Sequence, residues 1–177
     1  MIKSHDLSLH LLSEQDRDFY YQLYSNESLM QYITTPLTRN ESDESFDLTL
    51  KIMSQPVPKL KLYVIKKNIL QEKLGVVGLR WNQKTPKTVE IGIVLKEKFH
   101  GLGIGHCAKK LLINQAFTKL GVNKIIAICQ KGNKAANKAN QKLNFVSIAE
   151  YLDETCNRIK IKWELINERP LYNYSDE

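Results

Sequence analysis

The chain has 177 residues, 42% of them hydrophobic and 25% charged, with a net charge of +7. That length suits one domain with a buried core, no apolar run approaches the ~20 residues of a membrane span, and Asp6 and His10 interrupt the N-terminal stretch where a secretory leader would be apolar. A single cytoplasmic domain over residues 1–167 is expected, with a patternless tail over 168–177.

In chain order, residues 8–12 alternate like a short strand, and 13–25 read as a helix with Ser13 as N-cap. A short helix in 26–33 ends at the Thr34-Thr35-Pro36 turn. Residues 40–53 read as a further helix, with an Asn40/Asp43 start signal and Phe46, Leu50 and Met53 on one side. Its acids Glu41, Asp43, Glu44 and Asp47 suit the positive end of the helix dipole; attraction of a cationic substrate is the sharper alternative. Strands over 61–67, 74–82 and 88–95 follow as an antiparallel meander. A helix over 103–120, a buried strand over 124–129, a helix over 133–143 and two closing strands complete the order. It predicts a mixed α/β (α+β) domain whose mostly antiparallel twisted sheet, flanked by helices, turns into a βαβ unit midway.

Before the long helix stands His100-Gly101-Leu102-Gly103-Ile104-Gly105. Alternate glycines let backbone N–H groups approach a ligand, and a helix start adds unpaired donors, so phosphate is the natural occupant. A Walker A loop is excluded, because Gly105 is followed by His106 and Cys107. The dinucleotide fingerprint fails too, since its ribose-binding acid is missing: residues 98–149 hold nine lysines and no Asp or Glu. The positive excess sits in that segment and suits a multiply phosphorylated ligand, with RNA as the competing polyanion. Phe117 and Phe145 read as core residues, which disfavours base stacking; no DNA or membrane partner is expected. Cys107, Cys129 and Cys156 form no C-x-x-C pair and the four histidines share no helix face, so no metal site is expected.

In the strand Thr-Val-Glu-Ile-Gly-Ile-Val-Leu, alternation puts Glu90, Gly92 and Val94 on one face. A mid-strand carboxylate with a glycine two residues on would line a groove, partly buried, as a general base. A solvated cross-strand partner is the plainer alternative.

Residues 86–146 resemble the core of the GNAT superfamily of N-acetyltransferases, whose loop pattern is Gln/Arg-x-x-Gly-x-Gly/Ala. The resemblance rests on the six-residue loop, on "EIGIVL" before it, on "KLLINQAFTKLGVNKI" after it, and on "NKAANKANQKLNF", similar to the family's Asn-x-x-Ala followed by Gly-Phe. Within the superfamily the acid-bearing strand and the N-terminal helices resemble the ribosomal-protein N-terminal (alanine) acetyltransferase branch. The resemblance implies acetyl-coenzyme A as cosubstrate and no metal. Its pyrophosphate would sit on the backbone of Gly101, Leu102, Gly103, Ile104, Gly105 and His106, with His100 at the mouth of the loop. The pantetheine arm would run along Ile93, Val94 and Leu95 and meet Asn133, for which plain N-capping is the alternative. Glu90 would be the catalytic base, and an N–H near Val94 or Leu95 would hold the oxyanion. The implied acceptor is a protein or peptide N-terminal α-amine. Small amines (polyamines, aminoglycosides, amino acids) are the enzymatic alternative, and a non-catalytic acyl-CoA or RNA binding module the other; the chain would be a monomer or homodimer. This sequence departs from the family at His100, where Gln or Arg is usual, at Asn140, where many relatives carry a tyrosine thought to protonate the leaving thiolate, and at Asn144, in place of glycine. Cys107, often Glu in that branch, reads as a packed residue.

Overall fold

The computed structural model describes residues 6–57 and 59–167. Seven strands, β1 (Leu7–Leu11), β2 (Leu60–Lys67), β3 (Lys73–Trp81), β4 (Thr88–Leu95), β5 (Lys124–Gln130), β6 (Val146–Asp153) and β7 (Arg158–Ile166), form one sheet in the order β1-β2-β3-β4-β5-β7-β6. Every neighbouring pair is antiparallel except β4 and β5, so the expected mixed, mostly antiparallel sheet is the observed one. The tail expected over 168–177 lies outside the described residues.

Helices α1 (Arg17–Tyr24), α2 (Glu27–Met30) and α3 (Arg39–Met53) cover one face, where Phe19, Leu23, Met30 and Phe46 pack on Leu62, Val64, Val76 and Val94. Full burial of a side chain such as Phe46 stabilises by about 2–3 kcal/mol. Helix α4 (Ile104–Lys119) covers the other face, setting Ile104, Ala108, Leu112 and Ala116 against Leu74, Val77, Ile91 and Ile125. Helix α5 (Lys134–Lys142) follows β5 and packs beside α4.

Two starts differ from expectation. The continuous helix over 13–25 is a 3-10 turn, Glu14–Asp16, and then α1, because Asp16 Oδ2 turns back to accept from Ser13 N and Ser13 Oγ, both at 3.0 Å. Helix α3 begins at Arg39, with Thr38 rather than Asn40 as its cap: Glu41 Oε2 accepts from Thr38 N at 2.8 Å while Thr38 Oγ1 faces Glu41 N at 3.4 Å. Thr-x-x-Glu is a reciprocal cap that satisfies two orphan donors, and it outweighs the Asn40/Asp43 signal.

What positions the site is how little β4 and β5 share. Their ladder holds only Thr88, Val89 and Glu90 opposite Lys124, Ile125 and Ile126. Beyond it β4 stays paired with β3 as far as Leu95, and β5 with β7 as far as Gln130. Each strand follows its other neighbour, so a gap opens toward the C-terminal ends of both.

Candidate active site

The glycine loop lies at the end of β4, on the gap. Gly101 and Gly103 have φ of +75° and +80°, a region that suits glycine, and a Cβ at either would meet no atom within 4 Å. At Gly105 the constraint is packing, since a Cβ there would touch Leu95 Cδ1 at 3.4 Å and Ile93 Cδ1 at 3.8 Å. Ile93 and Leu95 thus lie beneath the start of α4 and set its approach. Leu102 is exposed while Ile104 is buried, which anchors the loop at the helix side. Gly103 is the N-cap of α4, and the opening N–H groups of a helix have no intrahelical acceptor. No acid stands in the first turn of α4 or of α5, so two positive helix ends flank the gap. His106, in that first turn, holds its Nδ1 buried with no hydrogen-bond partner among the described residues. The cradle of open glycines, free donors and an orphaned ring nitrogen fits a pyrophosphate, the group implied by the loop pattern.

His100 holds the loop's mouth by folding back: its ring Nε2 donates to the Leu95 carbonyl at 2.9 Å. Asn133 is the N-cap of α5, accepting from Ala136 N at 3.0 Å. Of the nine lysines in the acid-free segment, Lys98, Lys124 and Lys131 pair with Glu72, Glu164 and Glu150 contributed by other parts of the chain. Lys110, Lys119, Lys134, Lys138 and Lys142 are exposed.

Glu90 stands at the last shared pair of β4 and β5, on the face of α1–α3, and is exposed rather than partly buried as the groove expectation required. The reason is Gly92 beside it, where a Cβ would meet nothing within 4 Å. The hollow is open to solvent instead of being walled by side chains. Its far side is bridged by Arg158, which donates to the Gln31 carbonyl at 2.6 Å and to Gln130 Oε1 at 2.9 Å, tying the end of β5 to the segment after α2. Tyr24, on α1, has a phenol that burial pushes well above its usual value, with Tyr20 adding to the shift and Arg80, the cross-strand partner of Glu90, opposing it. The acids of α3 are largely committed: Glu41 to its cap, Asp43 to Arg39, and Asp47 to Arg17.

On the α4 face, beneath the gap, lies a group that no sequence pattern marks as a unit. Lys109 is 4% exposed, and its Nζ donates to Oδ1 of the fully buried Asn140 at 2.9 Å. Asn140 Nδ2 in turn donates to Cys129 Sγ at 3.3 Å. Helical spacing carries a signal, because Lys109, Leu112 and Ala116 share one stripe and the stripe is buried. Beside this group, Asn137 accepts from Trp163 Nε1 at 2.9 Å and donates to the Gln130 and Asn133 carbonyls, fixing α5 on β5 and β7. Among the described residues no three His, Cys, Asp or Glu side chains are grouped to hold a metal, and no helix is long and apolar enough to cross a membrane.

Residues 6–146 match the acetyltransferase (GNAT) domain. Spermidine N(1)-acetyltransferase of Escherichia coli K12 is 26% identical over 156 residues, which cover 87% of this chain and 80% of that protein. Among solved structures, spermidine N-acetyltransferase from Vibrio cholerae in complex with CoA and spermine superposes with a TM-score of 0.82 at 19% identity, covering 92% of this chain and 96% of that one. The ribosomal-protein α-N-acetyltransferase RimL, solved with coenzyme A disulfide-linked to one of its own cysteines, superposes at 0.80 and 19% identity over 91% and 94%. With the domain match spanning most of the described chain, the chain belongs to the acetyltransferase (GNAT) family.

Proposed function

We propose that this acetyltransferase moves the acetyl group of acetyl-coenzyme A to a primary amine of a small polycation of the polyamine class, with Glu90 as the base. The observation that carries the proposal is the exposed Glu90 carboxylate beside open space at Gly92, where the β4–β5 ladder ends. An amine nitrogen entering from the α1–α3 face comes to Glu90 without displacing a side chain. The similarity to spermidine acetyltransferases favours a small amine over the protein α-amine expected from the branch resemblance.

Coenzyme A brings the acetyl group as a thioester. The loop from His100 to His106 holds its phosphates through backbone donors and the dipole of α4, and the edge of β4 at Ile93, Val94 and Leu95 lines its arm. An amine of pKa about 10 is protonated at neutral pH and cannot attack; Glu90 takes its proton, directly or through one water, and frees the lone pair. A backbone N–H at Val94 or Leu95 steadies the charge that grows on the acetyl oxygen.

The test is incubation with acetyl-coenzyme A and a panel of spermidine, spermine, an aminoglycoside and peptides with free N-termini, with products read by mass spectrometry. Acetylated polyamine is the expected product. Acetylation confined to peptide α-amines would overturn the acceptor assignment and keep the transferase.

A further inference from the structure

We propose that Cys129 is the proton donor to the departing coenzyme A sulfur, aimed by Asn140 and backed by Lys109. This rests on acetyl transfer taking place in the gap between β4 and β5.

The leaving thiolate needs a proton, and the phenol that many relatives place at Asn140 is absent; an amide cannot supply one. Cys129 lies three residues past Ile126, the last partner of β4, so it borders the open part of the gap. Alternation puts it with Ile125 and Ala127 on the α4 face, whereas Glu90 and Ile126 share the opposite face. Base and acid therefore flank the gap from its two sides.

The hydrogen bonds fix which way each group points. A lysine ammonium only donates, so Asn140 must turn Oδ1 toward Lys109 and Nδ2 toward Cys129. Sγ then accepts from Asn140, and its own S–H is left to donate elsewhere. Burial pushes the Cys129 thiol up, with Glu90 adding to the shift and Lys109 and Asn140 opposing it, which keeps the proton in place at neutral pH. Lys109 has no ion-pair partner among the described residues; burial pushes its ammonium below the usual lysine range and Cys129 opposes that shift, so negative charge on Sγ is what favours the cation. A thiolate forming across Asn140 gives that cation its use: the same groups that oppose the upward shift stabilise the anion left when the proton goes.

Glu90 first takes one proton from the ammonium and passes it to water. In the step itself the amine nitrogen bonds to the acetyl carbon and the carbon–sulfur bond breaks with its electron pair on the coenzyme A sulfur, which takes the Cys129 proton and leaves as a thiol. Glu90 takes the second proton from the nitrogen, and water carries that proton to the Cys129 thiolate. The sum is acetyl-coenzyme A and an ammonium giving an amide, a thiol and one released proton.

Two measurements test this on the full chain. Coenzyme A disulfide, as a probe of sulfur-to-sulfur contact applied at alkaline pH so that the raised Cys129 thiol supplies thiolate, should form a mixed disulfide at Cys129 ahead of the exposed Cys156, mapped by peptide mass, and excess acetyl-coenzyme A should block it. Cys129→Ser, which keeps an acceptor for Asn140 but is a far weaker acid, and Cys129→Ala should each lower kcat about 10²-fold with KM for acetyl-coenzyme A unchanged and thermal melting near wild type. Absence of the Cys129 adduct, or full kcat in Cys129→Ala, overturns the proposal alone. Failure of the wild type to acetylate any amine would overturn the acetyl-transfer assignment beneath it.

Discussion

Glu90 and Ile126 are the last partners that β4 and β5 share, and two residues beyond Glu90 the backbone at Gly92 faces open space. The carboxylate that ends the ladder thus stands at the start of the gap. Replacing Glu90 with Gln keeps its shape and hydrogen-bonding reach and removes the base. Turnover at neutral pH should fall by roughly 10²- to 10⁴-fold, with coenzyme A affinity unchanged in calorimetry. The deficit should shrink as pH rises, because the acceptor amine then loses its proton unaided. Full turnover at neutral pH would make Glu90 a cross-strand partner of Arg80 and no more.

The glycine loop can be tested separately from backbone strain. Gly103 and Gly121 both have positive φ, +80° and +64°, and a Cβ at either meets nothing within 4 Å. Alanine in the left-handed region costs about 1–2 kcal/mol, so Gly103→Ala and Gly121→Ala should lose similar stability in urea unfolding. Only Gly103→Ala should also weaken coenzyme A binding, since Gly121 follows α4 at its far end. Equal affinity in the two variants would take the loop out of the site.

The order of strands and helices is legible in the residues alone, from period-2 and period-3.6 patterning, and the loop stands out because glycines at alternate positions before a helix have few other uses. Asn144, in place of the family's glycine, takes a positive φ of +63°, which asparagine tolerates better than most residues. The starts at Ser13 and Thr38 escape such patterning because local side-chain bonds decide them, and propensity does not see those. Lys109 is hidden for a different reason. In the sequence it is one of nine lysines in a basic segment; helical spacing sets it with Leu112 and Ala116 and apart from the exposed Lys110, but its meeting with Asn140 depends on the packing of α4 against α5. The open setting of Glu90 depends on what fails to cover it, which no pattern along one strand records.

Acid stability should have an identifiable source at the 3-10 turn. Asp16 is buried and pairs with Lys73 at 2.5 Å. Burial alone would raise its carboxyl, but the bond from Lys73 and those from Ser13 N and Oγ outweigh it and hold the group below its usual value. A carboxyl lowered in the folded state contributes stability that is full above its unfolded value, about pH 4, and is lost as pH falls through the folded one. Asp16→Asn should therefore reduce stability at pH 7 by about 2 kcal/mol and flatten the decline below pH 4, as read by urea unfolding across pH. An unchanged acid limb would place the sensitivity in other carboxylates.

Asn133 offers a way to separate capping from ligand contact. Its Oδ1 accepts from Ala136 N at 3.0 Å, so Asn133→Ala should cost about 1 kcal/mol of stability. Asn133→Asp keeps an acceptor at the same place and adds a negative charge that the α5 dipole favours, so its melting temperature should stay near wild type. If the residue also meets the coenzyme A arm, the aspartate removes the amide donor and sets a like charge near the phosphates. Its affinity for coenzyme A should then fall about tenfold, equivalent to about 1.4 kcal/mol, despite intact folding. Calorimetry on Asp and Ala variants at low and moderate salt reads both effects, and the Asp deficit should narrow with salt as the repulsion is screened. Wild-type affinity in both would confine Asn133 to holding the first turn of α5.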